Sequence, residues 1–419
     1  MSAPANPGKT ARLRDIESKL PSVCISSLVK STFVKNLALA GSTIALFVSP
    51  AIGGATSPVE IRFCPANEVR TYPLESQRDL QSLLLHNAAV INHGQAAISV
   101  TAIEVELLQA GQVLDVKKLN TKAIQFFVDC GAKAQAAGIF KQVAFQFCGT
   151  DLIGPSIKLA GPKLEKDQAL LITSQIFAFR GARDTLRVRV HGNVGGKATE
   201  ITSTLPIKSE FAKNTYIFPL RGVAYVGVAA SFHTPHRWVI PEEFGLDIAK
   251  LGDTGLSHKG NGTRFEDYYA YGADILAAAD GRVIEVASDQ SEDPSAMQRP
   301  DETQEAYFAR LQKEQAERLE KGSLLGNFVL IDHGQSEFAL YAHLKPGSVH
   351  AKTGDHVKAG DVIGKLGSSG NSTEPHLHFQ LCTKPGMDGA GIPVNFSNVT
   401  ILWADLPRPL QSGDIVIAK

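Results

Sequence analysis

The chain has 419 residues, enough for two or three domains, and its 42 Lys and Arg balance 42 Asp and Glu. A balanced charge gives no electrostatic reason to expect binding to nucleic acid or to an anionic membrane. The sequence is rich in Gly and Pro, and short runs of Val, Ile and Phe dominate from about residue 60 onward. Such runs, separated by turn residues, predict a mainly β protein.

A secretory signal is predicted near the start. Lys30 and Lys35 precede a mostly apolar run of about 12 residues, 37–48, and small residues follow up to Ala55. The run is too short to span a membrane comfortably. We therefore expect residues 1–55 to be a leader and signal peptide, cleaved after Ala51 or Ala55, and the protein to be exported, either periplasmic or secreted. A single N-terminal anchor helix is the alternative, and the long leader leaves the true start codon open.

Residues 59–220 are predicted to form a separate all-β domain of unknown role. The spacing of its apolar runs and turn residues favours an immunoglobulin-like β-sandwich, with one short helix within residues 117–137. Its histidines, His86, His93 and His191, are isolated in sequence, so surface or capping roles are expected. The predicted strands are residues 82–92, 98–107, 170–179 and 185–190.

The cysteines fit an exported protein. Removal of the signal would leave four of them, an even number in an oxidising compartment. Cys130 and Cys148 end two runs, 127–130 and 145–148, that read as neighbouring strands. A Cys130–Cys148 disulfide is therefore expected, with buried free thiols as the alternative.

Three histidines further along the chain lie on or beside predicted strands. Residues 338–343 read as a strand that ends on His343, and residues 379–381 read as a strand that follows His376 and His378. Because side chains alternate along a strand, a His-x-His pair places both imidazoles on one side. Imidazole is a poor core filler and the commonest metal ligand, and the cysteines lack a metal-binding spacing. This pattern favours a catalytic metal site with an open position.

Five stretches in this order resemble the motifs of the lysostaphin-type (LytM-like) zinc metallopeptidases, which cleave peptidoglycan peptides. The resemblance covers residues 226–394, and the motifs are specific when taken together. The matching stretches are Gly245-Leu246-Asp247-Ile248, Ala277-Ala278-Ala279-Asp280-Gly281, Ile331-Asp332-His333-Gly334, Tyr341-Ala342-His343-Leu344 and Ser369 to Phe379.

The resemblance implies a C-terminal antiparallel β peptidase domain at residues 221–410 and a Zn²⁺ site within it. Carried over by position, Asp247 and His378 are metal ligands. His343 and His376 are the catalytic pair that polarises water and steadies the tetrahedral intermediate. The family's first ligand, a His four residues before the Asp, is replaced here by Glu243.

Three possibilities follow for the third ligand. Glu243 itself is expected to bind zinc, because a carboxylate oxygen is an acceptable zinc ligand. Alternatively, His233 or His236 completes the set, or the site is metal-free. Two carboxylates around zinc would make it a weaker Lewis acid, so activity would be slower or shifted to higher pH.

Residues 289–322 interrupt the peptidase motifs. Within them, residues 301–321 predict a charged helix with one apolar face, either a solvated excursion or a wall of the substrate groove. Residues 357–367 also resemble the hybrid barrels of biotinyl and lipoyl carriers. That reading leaves the histidines unexplained and lacks the exposed hairpin lysine that carriers need.

The sequence therefore predicts an exported zinc metalloendopeptidase that hydrolyses peptide bonds of bacterial peptidoglycan. The alternative is a catalytically inactive module that binds the cell wall or regulates a partner hydrolase.

Overall fold

A computed structural model describes residues 58–419 except 75–78, 137, 139, 141–143, 232–233, 304, 308, 312–323, 405 and 407. The predicted leader and signal peptide and His233 lie outside the described residues. Strands predominate in the described part, which confirms the prediction of a mainly β protein. Within these ranges no helix is long and apolar enough to cross a membrane.

The first sheet has ten strands in the path β5-β4-β9-β10-β2-β3-β8-β6, with β1 paired to β3 and β7 paired to β4. All four predicted strands are present, and each extends at one or both ends beyond the predicted residues. The specific immunoglobulin-like arrangement stays a prediction. The strands are β1 (Val59–Cys64), β2 (Val69–Pro73), β3 (Leu80–Asn92), β4 (Ile98–Gln109), β5 (Gln112–Leu119), β6 (Lys158–Leu159), β7 (Lys163–Leu164), β8 (Gln168–Arg180), β9 (Thr185–Val194) and β10 (Lys197–Lys208).

A helix, α1 (Thr121–Ala136), lies among these strands and confirms the predicted short helix. The side chain of Asn120 accepts a hydrogen bond from the backbone N–H of Ala123, as a helix N-cap does. Ile124 is buried and belongs to the same apolar core as β3, β4 and β9.

The second sheet has nine strands in the order β17-β14-β15-β16-β19-β12-β11-β21-β20, and β13 and β18 form a separate pair. Its core, which includes Val226, Tyr341 and Phe379, is distinct from that of the first sheet. The strands are β11 (Gly222–Val228), β12 (Leu246–Lys250), β13 (Asp274–Leu276), β14 (Gly281–Ala287), β15 (Asn327–Asp332), β16 (Phe338–Leu344), β17 (His356–Val357), β18 (Val362–Lys365), β19 (Leu377–Cys382), β20 (Val399–Ile401) and β21 (Ile415–Ala418).

The predicted Cys130–Cys148 disulfide is wrong, because Cys148 is bonded to Cys64 with a Cα–Cα distance of 5.8 Å. The two strands on which that prediction rested are absent at those positions. Residues 127–130 belong to α1, and Ala144–Phe147 form a 3₁₀ turn. Apolar content alone did not separate short strands from helical turns there. Of the predicted helix at 301–321, residues 305–307 and 309–311 are helical, and 304, 308 and 312–321 lie outside the described residues.

Candidate metal centre

Three neighbouring strands of the second sheet bring the predicted residues together. In the register of the sheet, Asp247 on β12 lies directly opposite His378 on β19, and His378 lies opposite Ala342 on β16. His343 follows Ala342, and His376 precedes β19 by one residue. The alternation of side chains along β19 therefore places His376 and His378 on one face, as the His-x-His spacing predicts.

A metal-competent group of three side chains forms at this point. Ligand atoms of His236, Asp247 and His378 lie within 4.8 Å of one another. Asp247 Oδ1 lies 3.0 Å from His378 Nδ1, and Asp247 Oδ2 lies 3.4 Å from His236 Nε2. Two imidazoles and one carboxylate are a donor set typical of catalytic zinc with an open fourth position. The residues present therefore fit zinc.

Glu243, the expected third ligand, is not part of this group. Its carboxylate lies 3.0 Å from His86 Nε2 and 3.0 Å from Arg237 Nη1, and all three side chains are buried. Turning Glu243 towards a metal would leave the buried guanidinium of Arg237 unpaired, which is costly. His236, the alternative third ligand, belongs to the group instead.

The second nitrogen of His378 is also held. His378 Nε2 lies 2.8 Å from the side-chain oxygen of Gln380, whose amide nitrogen in turn donates to Cys382 Sγ. Such contacts fix the orientation and tautomer of a metal-binding imidazole. Sequence analysis did not single out Gln380, although its place two residues after His378 on a strand puts it on the same face.

His343 and His376 flank the group, with ring centroids 4.7 Å apart. His343 Nδ1 lies 2.8 Å from the carbonyl oxygen of Ser369, and His376 Nδ1 lies 2.8 Å from that of Glu374. A carbonyl can only accept, so each Nδ1 carries a proton, and in the neutral ring Nε2 is the acceptor. His376 Nε2 lies 3.5 Å from Asp247 Oδ1.

The backbone at His343 is unusual for a strand. Its φ of 66° is in the left-handed region, and two residues, Ala342 and His343, face the single residue Phe328 in the register of β15 and β16. This is a β-bulge, a feature that redirects side chains and is frequent beside active sites.

The charges of the site are strongly coupled. Burial raises the pKa of Asp247, but the imidazoles of His236, His376 and His378 outweigh it and hold the pKa well below its usual range. Burial lowers the pKa of His378, but the hydrogen bond and charge of Asp247 outweigh it and raise the pKa to about 9. Burial, reinforced by the two neighbouring imidazoles, lowers the pKa of His343 well below its ordinary value. At neutral pH, therefore, Asp247 is ionised and His343 is neutral.

The group opens into a cleft of about 220 Å³. Glu242 places a further carboxylate in it, 3.9 Å from His236 Nε2. Phe145, from the segment that follows α1 in the N-terminal part of the chain, forms part of the wall. The other lining residues are Pro235, Val239, Leu324, Leu325, Asn371, Thr373 and Met387, together with the four histidines and Asp247.

Comparison with known proteins agrees with the motifs. Residues 314–387 match Peptidase family M23. This segment includes His343, His376 and His378 but not His236 or Asp247. The chain is 46% identical over 83 residues to the DD-carboxypeptidase/endopeptidase Mpg of Neisseria meningitidis serogroup B, covering 20% of this chain and 17% of that protein. It is also 46% identical over 56 residues to the peptidoglycan DD-endopeptidase ShyC of Vibrio cholerae, covering 13% of this chain and 12% of that protein.

Among solved structures, the catalytic domain of lysostaphin from Staphylococcus simulans aligns with 41% of this chain and 89% of that domain, at 20% identity and a TM-score of 0.23. The chain spans less than a fifth of the length of the two curated relatives named above. The match over residues 314–387, with these relatives, shows that the chain contains a peptidase M23 domain.

Proposed function

We propose that this chain is a zinc metalloendopeptidase that hydrolyses peptide bonds of bacterial cell-wall peptidoglycan. The observation that carries the proposal is the convergence of His236, Asp247 and His378 in a cleft flanked by His343 and His376. Two relatives, a DD-carboxypeptidase/endopeptidase and a peptidoglycan DD-endopeptidase, support the substrate class.

His236 Nε2, a carboxylate oxygen of Asp247 and His378 Nδ1 would hold the metal. Zinc bound there would act as a Lewis acid on a substrate carbonyl and make water more acidic. His378 is kept in place by Gln380, and the ionised Asp247 lowers the net positive charge of the loaded site.

His343 and His376 supply the proton transfers. With Nδ1 bonded to a carbonyl, each ring presents Nε2 towards the reacting atoms. A neutral Nε2 accepts a proton from the attacking water, and the protonated ring then donates to the amine that leaves. When such a ring is protonated, its Nε2–H can also donate to the oxyanion of the tetrahedral intermediate. The depressed pKa of His343 keeps it in the accepting form at neutral pH.

Export is part of the proposal. The apolar run at 37–48 suits a secretory signal. The Cys64–Cys148 disulfide suits an oxidising compartment outside the cytoplasm. Protein recovered outside the cytoplasm should begin between residues 50 and 58. Recovery of protein that begins at Met1 in the cytoplasmic fraction would contradict export.

The test of function combines the zinc content of the purified chain with the release of soluble muropeptides from peptidoglycan. We expect one zinc per chain and release by the parent. His376→Ala should keep its zinc and lose activity by about 10²–10⁴-fold, because it removes a proton-transfer group and no ligand. His93→Ala, on an exposed histidine of the first sheet, is the matched control and should behave as the parent. A zinc-loaded parent without release would favour the binding module.

A further inference from the structure

The loop that carries His236, residues 235–245, presents different side chains to its two sides. His236 and Glu242 line the cleft. Ile240 packs in an apolar cluster with Ala89 and Ile91 of β3. Phe244 stacks on Tyr72 of β2 with ring centroids 5.7 Å apart. One side of the loop thus belongs to the metal centre and the other to the N-terminal β domain.

A buried ionic network joins the same two parts. His86 of β3 lies against one carboxylate oxygen of Glu243, and Arg237 lies against the other. Arg237 follows His236 directly in the chain, and its Nη2 donates to Ser82 Oγ of β3 at 3.3 Å. His86, Arg237 and Glu243 are 3%, 0% and 6% exposed, so water does not screen these contacts.

Neutral hydrogen bonds reinforce this attachment. The side chain of Gln146 donates to the carbonyl of Trp238 at 2.6 Å and accepts from the backbone N–H of Ile240 at 2.9 Å. The backbone carbonyl of Gln146 accepts a hydrogen bond from the side-chain amide of Asn87 on β3. Arg237, Trp238 and Ile240, which follow His236 in the loop, are therefore held by side chains of the first domain.

We propose that the N-terminal β domain positions His236 for metal binding, with His86 and Gln146 as its positioning residues. A short loop with its own backbone turns has several conformations of similar energy. The ionic network and the Gln146 bonds select the one that directs Nε2 towards Asp247. This inference rests on the proposed zinc site, and it gives the first domain a role in the chemistry of the second.

The test measures the zinc affinity of the full chain by competition with a chromophoric chelator, together with the absorption spectrum of the Co²⁺-substituted protein. His86→Leu removes the donor to Glu243 but leaves the Glu243–Arg237 pair, so the chain should still fold. We expect zinc affinity to fall about tenfold or more, as for other outer partners of metal ligands, and the Co²⁺ spectrum to change. His86→Gln returns an N–H near the position of Nε2 and should restore most of the zinc affinity and most of the parental Co²⁺ spectrum.

Two further variants make the result decisive. Gln146→Met removes both neutral bonds without leaving a buried charge unpaired and should also lower zinc affinity. Gln411→Ala is the matched control, because its side chain donates to Pro73 elsewhere on the interface. It should leave affinity and spectrum unchanged.

Parental zinc affinity and Co²⁺ spectra in His86→Leu and Gln146→Met, whatever their thermal stability, would overturn the inference and leave the proposed function intact. A parent chain that binds no zinc would contradict both.

Discussion

At the scale of single residues, the orientation of His378 depends on contacts at both ring nitrogens. Asp247 is near Nδ1 and Gln380 near Nε2. Gln380→Met should weaken zinc binding by about 10–100-fold, because the ring loses the partner that fixes its orientation. Gln380→Glu keeps an acceptor at that position and should retain most of the affinity. Chelator competition measures both, and equal affinity in the parent and Gln380→Met would contradict this role.

The identity of the third ligand gives a second prediction at this scale. His236→Ala should release zinc, because two protein ligands are too few for a stable site. Metal analysis after dialysis measures this, with His191→Ala as the control that should keep its zinc. Retention of stoichiometric zinc by His236→Ala would contradict the assignment.

Much of the site could be predicted from the sequence, and the failure at Glu243 has a physical reason. His343, His376 and His378 were found from strand alternation and strand ends, and Asp247 was found from the resemblance to the lysostaphin-type motifs. His236 stands eleven residues before Asp247, where a folded loop and not a regular element sets the distance. Its position depends on His86 and Gln146, which are distant in sequence, and no local pattern reveals such contacts.

At the scale of elements, the Cys64–Cys148 disulfide attaches the 3₁₀ turn Ala144–Phe147 to strand β1. The joined residues are 84 apart in sequence, so the bond removes considerable freedom from the unfolded chain. A Cys64→Ser, Cys148→Ser double variant should lose about 2–5 kcal/mol of unfolding free energy.

Guanidinium unfolding of the oxidised proteins measures this loss. An unchanged midpoint and slope would contradict a stabilising role. Cys382→Ser is a suitable control, because that cysteine is buried and carries a free thiol.

The elements themselves were predicted unevenly. Apolar and polar side chains alternate strictly along β9, and Leu186, Val188 and Val190 are buried. This period of two residues identified the strand from the sequence. Residues 127–130 and 145–148 are short apolar runs that carry no reliable period. The first belongs to a helix that begins at the Asn120 cap, and the second to a turn closed by a disulfide to a distant strand.

At the scale of the whole molecule, the two sheets have separate cores and are joined at the His236 loop. The proposed zinc would bind the folded site and not the unfolded chain, so saturation at 100-fold over Kd should stabilise the fold by about 2.7 kcal/mol. If the loop transmits this stabilisation to the first sheet, zinc should slow amide hydrogen exchange in β3 near His86 more than in the edge strand β5. Hydrogen exchange with mass spectrometry measures both segments.

The same experiment on His86→Leu serves as its control. In that variant zinc should still slow amide hydrogen exchange in β12 and β19 but should slow it little in β3. An identical response of β3 in the variant and the parent would contradict coupling through His86.

Anomalous diffraction at the zinc edge, from crystals of the full chain grown with zinc, tests the proposed ligands of the metal directly. We predict one strong peak about 2.0–2.2 Å from His236 Nε2, His378 Nδ1 and an oxygen of Asp247, with Glu243 still against Arg237. A peak bonded to Glu243, or no peak between these three side chains at saturating zinc, would contradict this prediction.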